Sequence, residues 1–205
     1  MLAIIDYDAG NLRSVSKACE LFEKDVQITS DVNKILSADK VILPGVGAFG
    51  DCMNNLKKHN LVDCIKEITQ NGTPFLGICL GLQLLFESSD ETPNCPGLGI
   101  FEGKISKIPK KDGFKIPHMG WNSIDFTKET PLFEGIKNGS FVYFVHSYYM
   151  QPKDKSIISA TCNYSATLPI ALSRKNVYAV QFHPEKSGDT GLKILKNFID
   201  LRRDN

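Results

Sequence analysis

Along the first half of the chain, short unbroken apolar runs alternate with segments whose apolar residues recur every three or four positions. Leu2 to Asp6 reads as a buried strand, and Leu12, Val15, Ala18, Cys19 and Phe22 follow at helical spacing. Val26 to Thr29 is a second strand, Val32, Ile35 and Leu36 mark a short helix, and Val41-Ile42-Leu43 is a third strand ending at Pro44-Gly45. One longer helix is expected from Asp51 to Gln70, stopped by Asn71-Gly72, a pair suited to a left-handed C-terminal cap. Pro74 to Ile78 then forms a strand that runs straight into a helical pattern on Leu80, Leu84 and Leu85. Continuous apolar strands alternating with helices imply a parallel sheet covered on both faces.

After about Ser89 the texture changes to strands without long helices: Gly103 to Ile108, Trp121 to Phe126, Phe141 to Met150, Ile157 to Cys162, and Ile170 to Phe182 with a turn near Arg174-Lys175-Asn176. A last amphipathic helix is expected from Asp189 to Arg202, with Leu192, Leu195, Phe198 and Ile199 on one face and Ser187 as its N-cap. The pattern predicts an α/β fold in a single domain over residues 1–205. Its mixed, mostly parallel central sheet is flanked by helices and extended by a β-rich second half.

Composition narrows the function. Lys plus Arg (24) and Asp plus Glu (23) cancel to +1, so no net field is available to hold a nucleic acid or an anionic membrane surface. The start, Met1-Leu2-Ala3-Ile4-Ile5-Asp6, has no basic leader region, and no apolar run approaches the roughly 18 residues of a spanning helix; a cytoplasmic protein is expected. The six cysteines are widely spaced and form no C-x-x-C pair, which argues for reduced thiols and against disulfides or a metal site.

Gly77-Ile78-Cys79-Leu80-Gly81 sits where a buried strand turns into a helix, and its glycines allow the tight backbone that lifts a side chain out of the turn. This is the form of a nucleophile elbow, with Cys in place of Ser. The helix start favours thiolate, and the N–H groups that follow can donate to an oxyanion. A nucleophilic Cys needs a base, and the base an orienting group. His183 closes an apolar strand and Pro184 holds it extended, so Glu185, two positions on, faces the same way and can fix its tautomer. Cys79, His183 and Glu185 therefore form a candidate triad. His59 reads as a solvated residue of a polar helix, and His118 and His146 as core or wall residues. Gly45, Gly47 and Gly50 match G-x-G-x-x-G after a strand, but the acidic residue a dinucleotide site needs falls in a helical pattern, at Glu67. A second use of those glycines, leaving backbone N–H groups to face a developing anion, fits the elbow better. No ATP-binding loop is found, and no cofactor is expected.

These segments resemble the class I glutamine amidotransferases and, within them, the imidazole glycerol phosphate synthase glutaminase subunits (HisH type). The resemblance runs from Asp6-Tyr7-Asp8-Ala9-Gly10-Asn11-Leu12 through Pro44-Gly45-Val46-Gly47 and Gly77 to Gln83. It continues in His118-Met119-Gly120-Trp121-Asn122, Phe144 to Tyr149 and Gln181 to Ser187. Asp8 stands where Gly is expected. The resemblance implies a flavodoxin-like sheet. It also implies that Cys79 attacks the side-chain amide of L-glutamine, that His183 passes the proton to the leaving ammonia, and that the backbone at Val46, Gly47 and Leu80 stabilises the oxyanion. Gln83, Glu91, Ser147 and Tyr148 then match glutamine-holding positions. The ammonia would pass to a separate (β/α)8-barrel cyclase subunit (HisF type) that converts PRFAR to imidazole glycerol phosphate and AICAR, in a heterodimer docked through Asn11, Arg13, Trp121 and Lys186. Two other readings stay open: a paralogue supplying a sugar-modifying synthase, and a stand-alone cysteine hydrolase using the same three residues.

Overall fold

The computed structural model describes residues 1–202. Its elements in chain order are β1 (Leu2–Ile5), α1 (Leu12–Cys19), β2 (Val26–Thr29), α2 (Val32–Leu36), β3 (Lys40–Leu43), α3 (Phe49–Lys58), α4 (Leu61–Gln70), β4 (Phe75–Ile78) and α5 (Leu80–Leu84). There follow β5 (Phe86–Ser89), β6 (Phe101–Lys107), β7 (His118–Ser123), β8 (Asp125–Phe126), β9 (Phe141–His146), β10 (Tyr148–Pro152), β11 (Ile158–Tyr164), β12 (Ala166–Arg174), β13 (Val177–Val180) and α6 (Gly188–Asp200). An eight-stranded sheet runs in the order β2-β1-β3-β4-β13-β12-β11-β8. The strands from β2 to β13 are parallel, and β12, β11 and β8 continue the sheet antiparallel. The mostly parallel α/β architecture expected from the hydrophobic pattern is therefore present.

Alternation along the parallel strands assigns side chains to two cores. Ala3, Ile5, Val41 and Leu43 face a core with Ile35, Met53, Leu56 and Ile65 from α2, α3 and α4. Leu2, Ile4, Ile42 and Ile78 face the other, with Val15 from α1 and Ile194, Leu195 and Phe198 from α6. Being parallel, β3, β4 and β13 deliver their C-terminal ends side by side at one edge of the sheet, where ligands bind in such folds.

Several expectations need correction. The helix expected from Asp51 to Gln70 is two, because Asn60 adopts φ 58° between α3 and α4, a left-handed conformation Asn tolerates. The strand expected from Phe141 to Met150 breaks at Ser147: β9 pairs with β7, and β10 with β6 in a separate three-stranded sheet. That small sheet includes β5, which follows directly on the helical pattern of Leu80, Leu84 and Leu85 and was not anticipated. Ser187 occupies the N-cap position of α6 but makes no cap bond. Its hydroxyl donates instead to the His183 carbonyl at 2.6 Å and accepts the Tyr143 N–H at 2.9 Å. Among the described residues no helix is long and apolar enough to cross a membrane.

Candidate active site

Cys79 follows β4 directly and takes φ 55° and ψ −110°, a conformation unusual for a side chain larger than hydrogen. The glycines around it make the turn possible. A Cβ on Gly81 would lie 1.9 Å from the Leu43 carbonyl oxygen, and one on Gly45 would lie 2.7 Å from the Tyr7 hydroxyl. The first turn of α5 is thereby drawn against the end of β3. Tyr7, fully buried, donates to the Pro44 carbonyl at 2.7 Å and pins the loop that follows β3.

His183 reaches the same edge from β13. Its Nδ1 lies 2.8 Å from Glu185 Oε1, and both side chains are almost completely buried. The contact arises differently from the extended i, i+2 geometry expected: Pro184–Lys186 form a single 3-10 turn, which carries Glu185 back under the ring and turns Lys186 to solvent. Burial alone would depress the imidazole pKa. The Cys79 sulfur and the Glu185 carboxylate outweigh it and raise it to about 10, so His183 holds a proton near neutrality. Its Nε2 is buried without a hydrogen-bond partner within the protein, as suits a group that must pass a proton to a ligand. The other buried thiols are poor nucleophiles by contrast. Burial pushes Cys19 and Cys162 up to about 12, and Cys52 and Cys64 to about 11.

A cavity of about 320 Å³ opens over this edge, lined by Val46, Gly47, Cys79, Leu80, Gln83, Glu91, Ser147, Tyr148 and His183 together with Pro117, Val145 and His146. Of the residues singled out for catalysis, oxyanion stabilisation and substrate binding, all but Glu185 line it, and Glu185 lies behind His183. Gly47 has φ 102° with open space where a side chain would stand. The Leu80 N–H donates to the Gly45 carbonyl at 3.3 Å, so the oxyanion donor expected at Leu80 is engaged with the loop that carries the other. Glu91 is not the solvated loop charge its setting among serines and acids would suggest. Its Oε2 accepts the Phe49 N–H at 2.7 Å, at the start of α3.

Asn11, Arg13, Trp121 and Lys186 gather at the same end of the sheet. Asn11 and Arg13 begin α1, which packs against the Pro184–Lys186 turn, and the Trp121 indole, 55% exposed, lies beside Gly188. His59 departs from its solvated reading: its Nε2 is 2.8 Å from Asp8 Oδ2, which Lys58 also contacts at 3.1 Å. These two partners lower the Asp8 pKa. Asp8 has φ 63°, which explains how Asp substitutes for Gly there, since Asp is among the residues that enter the left-handed region most readily.

One residue of the site escaped notice in the sequence. Gln181, fully buried, donates from Nε2 to Cys79 Sγ at 3.7 Å and accepts from Gln83 Nε2 at 3.1 Å. Its signal was a lone amide in the apolar run Tyr178 to Phe182.

The family model for glutamine amidotransferase class-I matches residues 3–201. An imidazole glycerol phosphate synthase subunit HisH 1 from Methanococcus maripaludis is 54% identical, over 98% of this chain and 100% of its own length. The HisH subunit from Methanocaldococcus jannaschii is 52% identical, over 98% and 100%, and that of Bacillus cereus strain ATCC 14579 is 50% identical, over 97% and 93%. Among solved structures, PurLQS from Thermotoga maritima matches with a TM-score of 0.74 at 17% identity, over 97% of each chain. That likeness bears on the fold alone. A cysteine elbow facing a His-Glu pair, in a sequence about half identical to these subunits from end to end, leaves one assignment: the chain belongs to the class-I glutamine amidotransferase family, among the HisH subunits of imidazole glycerol phosphate synthase.

Proposed function

We propose that this chain is the glutaminase subunit of imidazole glycerol phosphate synthase and that Cys79, His183 and Glu185 carry its reaction. The Cys79 sulfur attacks the side-chain carbonyl carbon of glutamine, and the electron pair of that carbonyl moves onto oxygen. The N–H groups of the Val46-Gly47 segment and of Leu80 meet the resulting oxyanion, Leu80 after giving up its bond to Gly45. Collapse breaks the C–N bond as His183 hands its proton to the departing ammonia, leaving a γ-glutamyl thioester. Water, deprotonated by the now neutral His183, attacks the thioester, and breakage of the C–S bond releases glutamate and returns the Cys79 sulfur as thiolate beside a protonated His183. Glu91 supplies a carboxylate for the α-ammonium of glutamine, while Gln83 and the Ser147–Tyr148 backbone hold its other end.

The observation that carries the reading is the convergence of all these groups except Glu185, which backs His183, on one cavity of about 320 Å³, a volume suited to one amino acid. Ammonia in water is almost wholly ammonium, a poor nucleophile, so its use requires a dry path to a second active site. We place that site on a (β/α)8 cyclase subunit docked over the cavity mouth. Cys79→Ala is expected to abolish glutamine-dependent synthesis by the two-subunit complex while sparing synthesis from ammonium salt. Loss of both activities would make Cys79 structural. Full glutaminase activity of the isolated chain would favour a stand-alone hydrolase, and failure of PRFAR to stimulate the complex would favour a sugar-pathway paralogue.

A further inference from the structure

β7 and β9 form a two-stranded ribbon whose register sets His118 directly opposite His146. Both are buried, at 2% and 5% exposure, and the reaction above uses neither. His118 Nδ1 lies 3.0 Å from His146 Nε2, and His146 Nδ1 lies 2.8 Å from the Tyr148 carbonyl oxygen. A carbonyl only accepts, so Nδ1 of His146 carries the hydrogen. In a neutral ring its Nε2 is then the acceptor, which makes Nδ1 of His118 the donor. His118 Nε2 in turn accepts from the Asn122 amide at 3.4 Å. Every proton in this chain points from Asn122 toward Tyr148. Burial keeps both rings neutral, with pKa values lowered to about 4 for His118 and about 3 for His146. The His118 ring is also clamped between Phe144 and Tyr164, stacked at centroid distances of 4.7 and 3.9 Å.

His146 stands in the cavity wall, yet both of its nitrogens are taken, so it has none left to exchange a proton with Cys79. What it does hold is a carbonyl. The Tyr148 oxygen also accepts the Gln83 amide at 3.3 Å, and that amide reaches Gln181, which touches the Cys79 sulfur. We propose that His118 and His146 are positioning residues of the glutaminase site: together they fix the Tyr148 peptide and, through it, the Gln83 amide, in the geometry that receives glutamine. A single buried histidine at position 146 would leave a ring nitrogen unpaired, and the second ring satisfies the first. The proposal rests on the reading that Gln83 and the Ser147–Tyr148 segment hold the substrate.

The test measures kcat and KM separately for glutamine hydrolysis by the full chain in its synthase complex, in His146→Phe, His146→Asn, His118→Phe and Gln83→Ala. Phe keeps an aromatic ring without a donor, whereas the Asn amide restores a donor where Nδ1 stood. His146→Phe is expected to raise the glutamine KM about tenfold with a smaller change in kcat, His146→Asn to recover most of that loss, and His118→Phe to raise KM about threefold. A merely structural pair would lower the melting temperature and the folded fraction at unchanged KM, with no advantage of Asn over Phe. That result overturns the proposal. Should His146→Phe not fold, His118→Phe decides alone, and a wild-type KM there overturns it. A raised KM in Gln83→Ala beside wild-type KM in the histidine variants removes the positioning role and leaves the substrate site standing; an unchanged KM in Gln83→Ala removes both.

Discussion

Two buried histidine environments in this molecule pull in opposite directions. His183, against Glu185 and the Cys79 sulfur, keeps its proton up to about pH 10, whereas His118 and His146, walled by aromatic rings and each other, stay neutral and take up a second ring proton only below about 4 and 3. For the lowered pair the unfolded chain takes up protons first as pH falls through about 6.5, so the stability from burying neutral rings is complete above that pH and drains away below it. Between pH 6.5 and 4.5 wild type is expected to lose up to about 1.4 kcal/mol per pH unit per histidine relative to a variant lacking that ring. Urea unfolding of wild type and His118→Phe across that range checks this, and parallel curves would refute it. His183 has the reverse sign: its contribution is complete below about 6.5 and is lost as pH rises toward about 10.

At the level of elements, the elbow depends on how closely α5 approaches β3. Gly81→Ala sets a Cβ 1.9 Å from a backbone oxygen that cannot move without dragging the strand. A loss of about 3 kcal/mol of unfolding free energy, read from denaturant titration, is expected, together with loss of glutamine turnover. Gly47 behaves differently. Its surroundings are open but its φ is 102°, so Gly47→Pro forces φ to about −65° and deletes an N–H in a loop that contributes little to the core. The variant is expected to fold with a midpoint near wild type and to lose about 100-fold or more in glutamine hydrolysis, while ammonium-dependent synthesis by the complex survives. A collapse of stability instead would mean that this loop is part of the scaffold.

For the whole molecule, the ribbon of β7 and β9 separates two environments by strand alternation. His118, Phe144 and His146 point inward, while Met119, Trp121 and Phe141 are 63%, 55% and 58% exposed on its outer side. An exposed aromatic surface of this kind beside the cavity mouth suits docking of the cyclase subunit proposed above. Trp121→Ala is expected to weaken binding of that subunit tenfold or more, measured by titration calorimetry. Lys186→Ala, at an exposed position directly after the His183–Glu185 pair, is expected to change affinity less and to reduce PRFAR stimulation at saturating partner. Wild-type values in both assays would return Lys186 to the role of a solvated charge.

The sequence by itself determined the β-α alternation, the glycine-flanked Cys79 and the His-Pro-Glu run, because each is encoded within a few consecutive positions, by apolar period or by a local backbone demand. It also placed the end of α4, where Gly72 takes φ 83° as the expected cap requires. Contacts between residues distant in sequence were decided only by the tertiary structure. Nothing local marks Ser147 as the point where one apolar run leaves β7 for β6, since both halves alternate equally well and only the competing sheets select the break. Nor could spacing reveal that Gln181 bridges Gln83 and Cys79, that Glu91 seats on the start of α3, or that two histidines 28 residues apart share a proton chain. Those roles depend on which polar atoms lose water together when the strands assemble, and that is a property of the packed sheet.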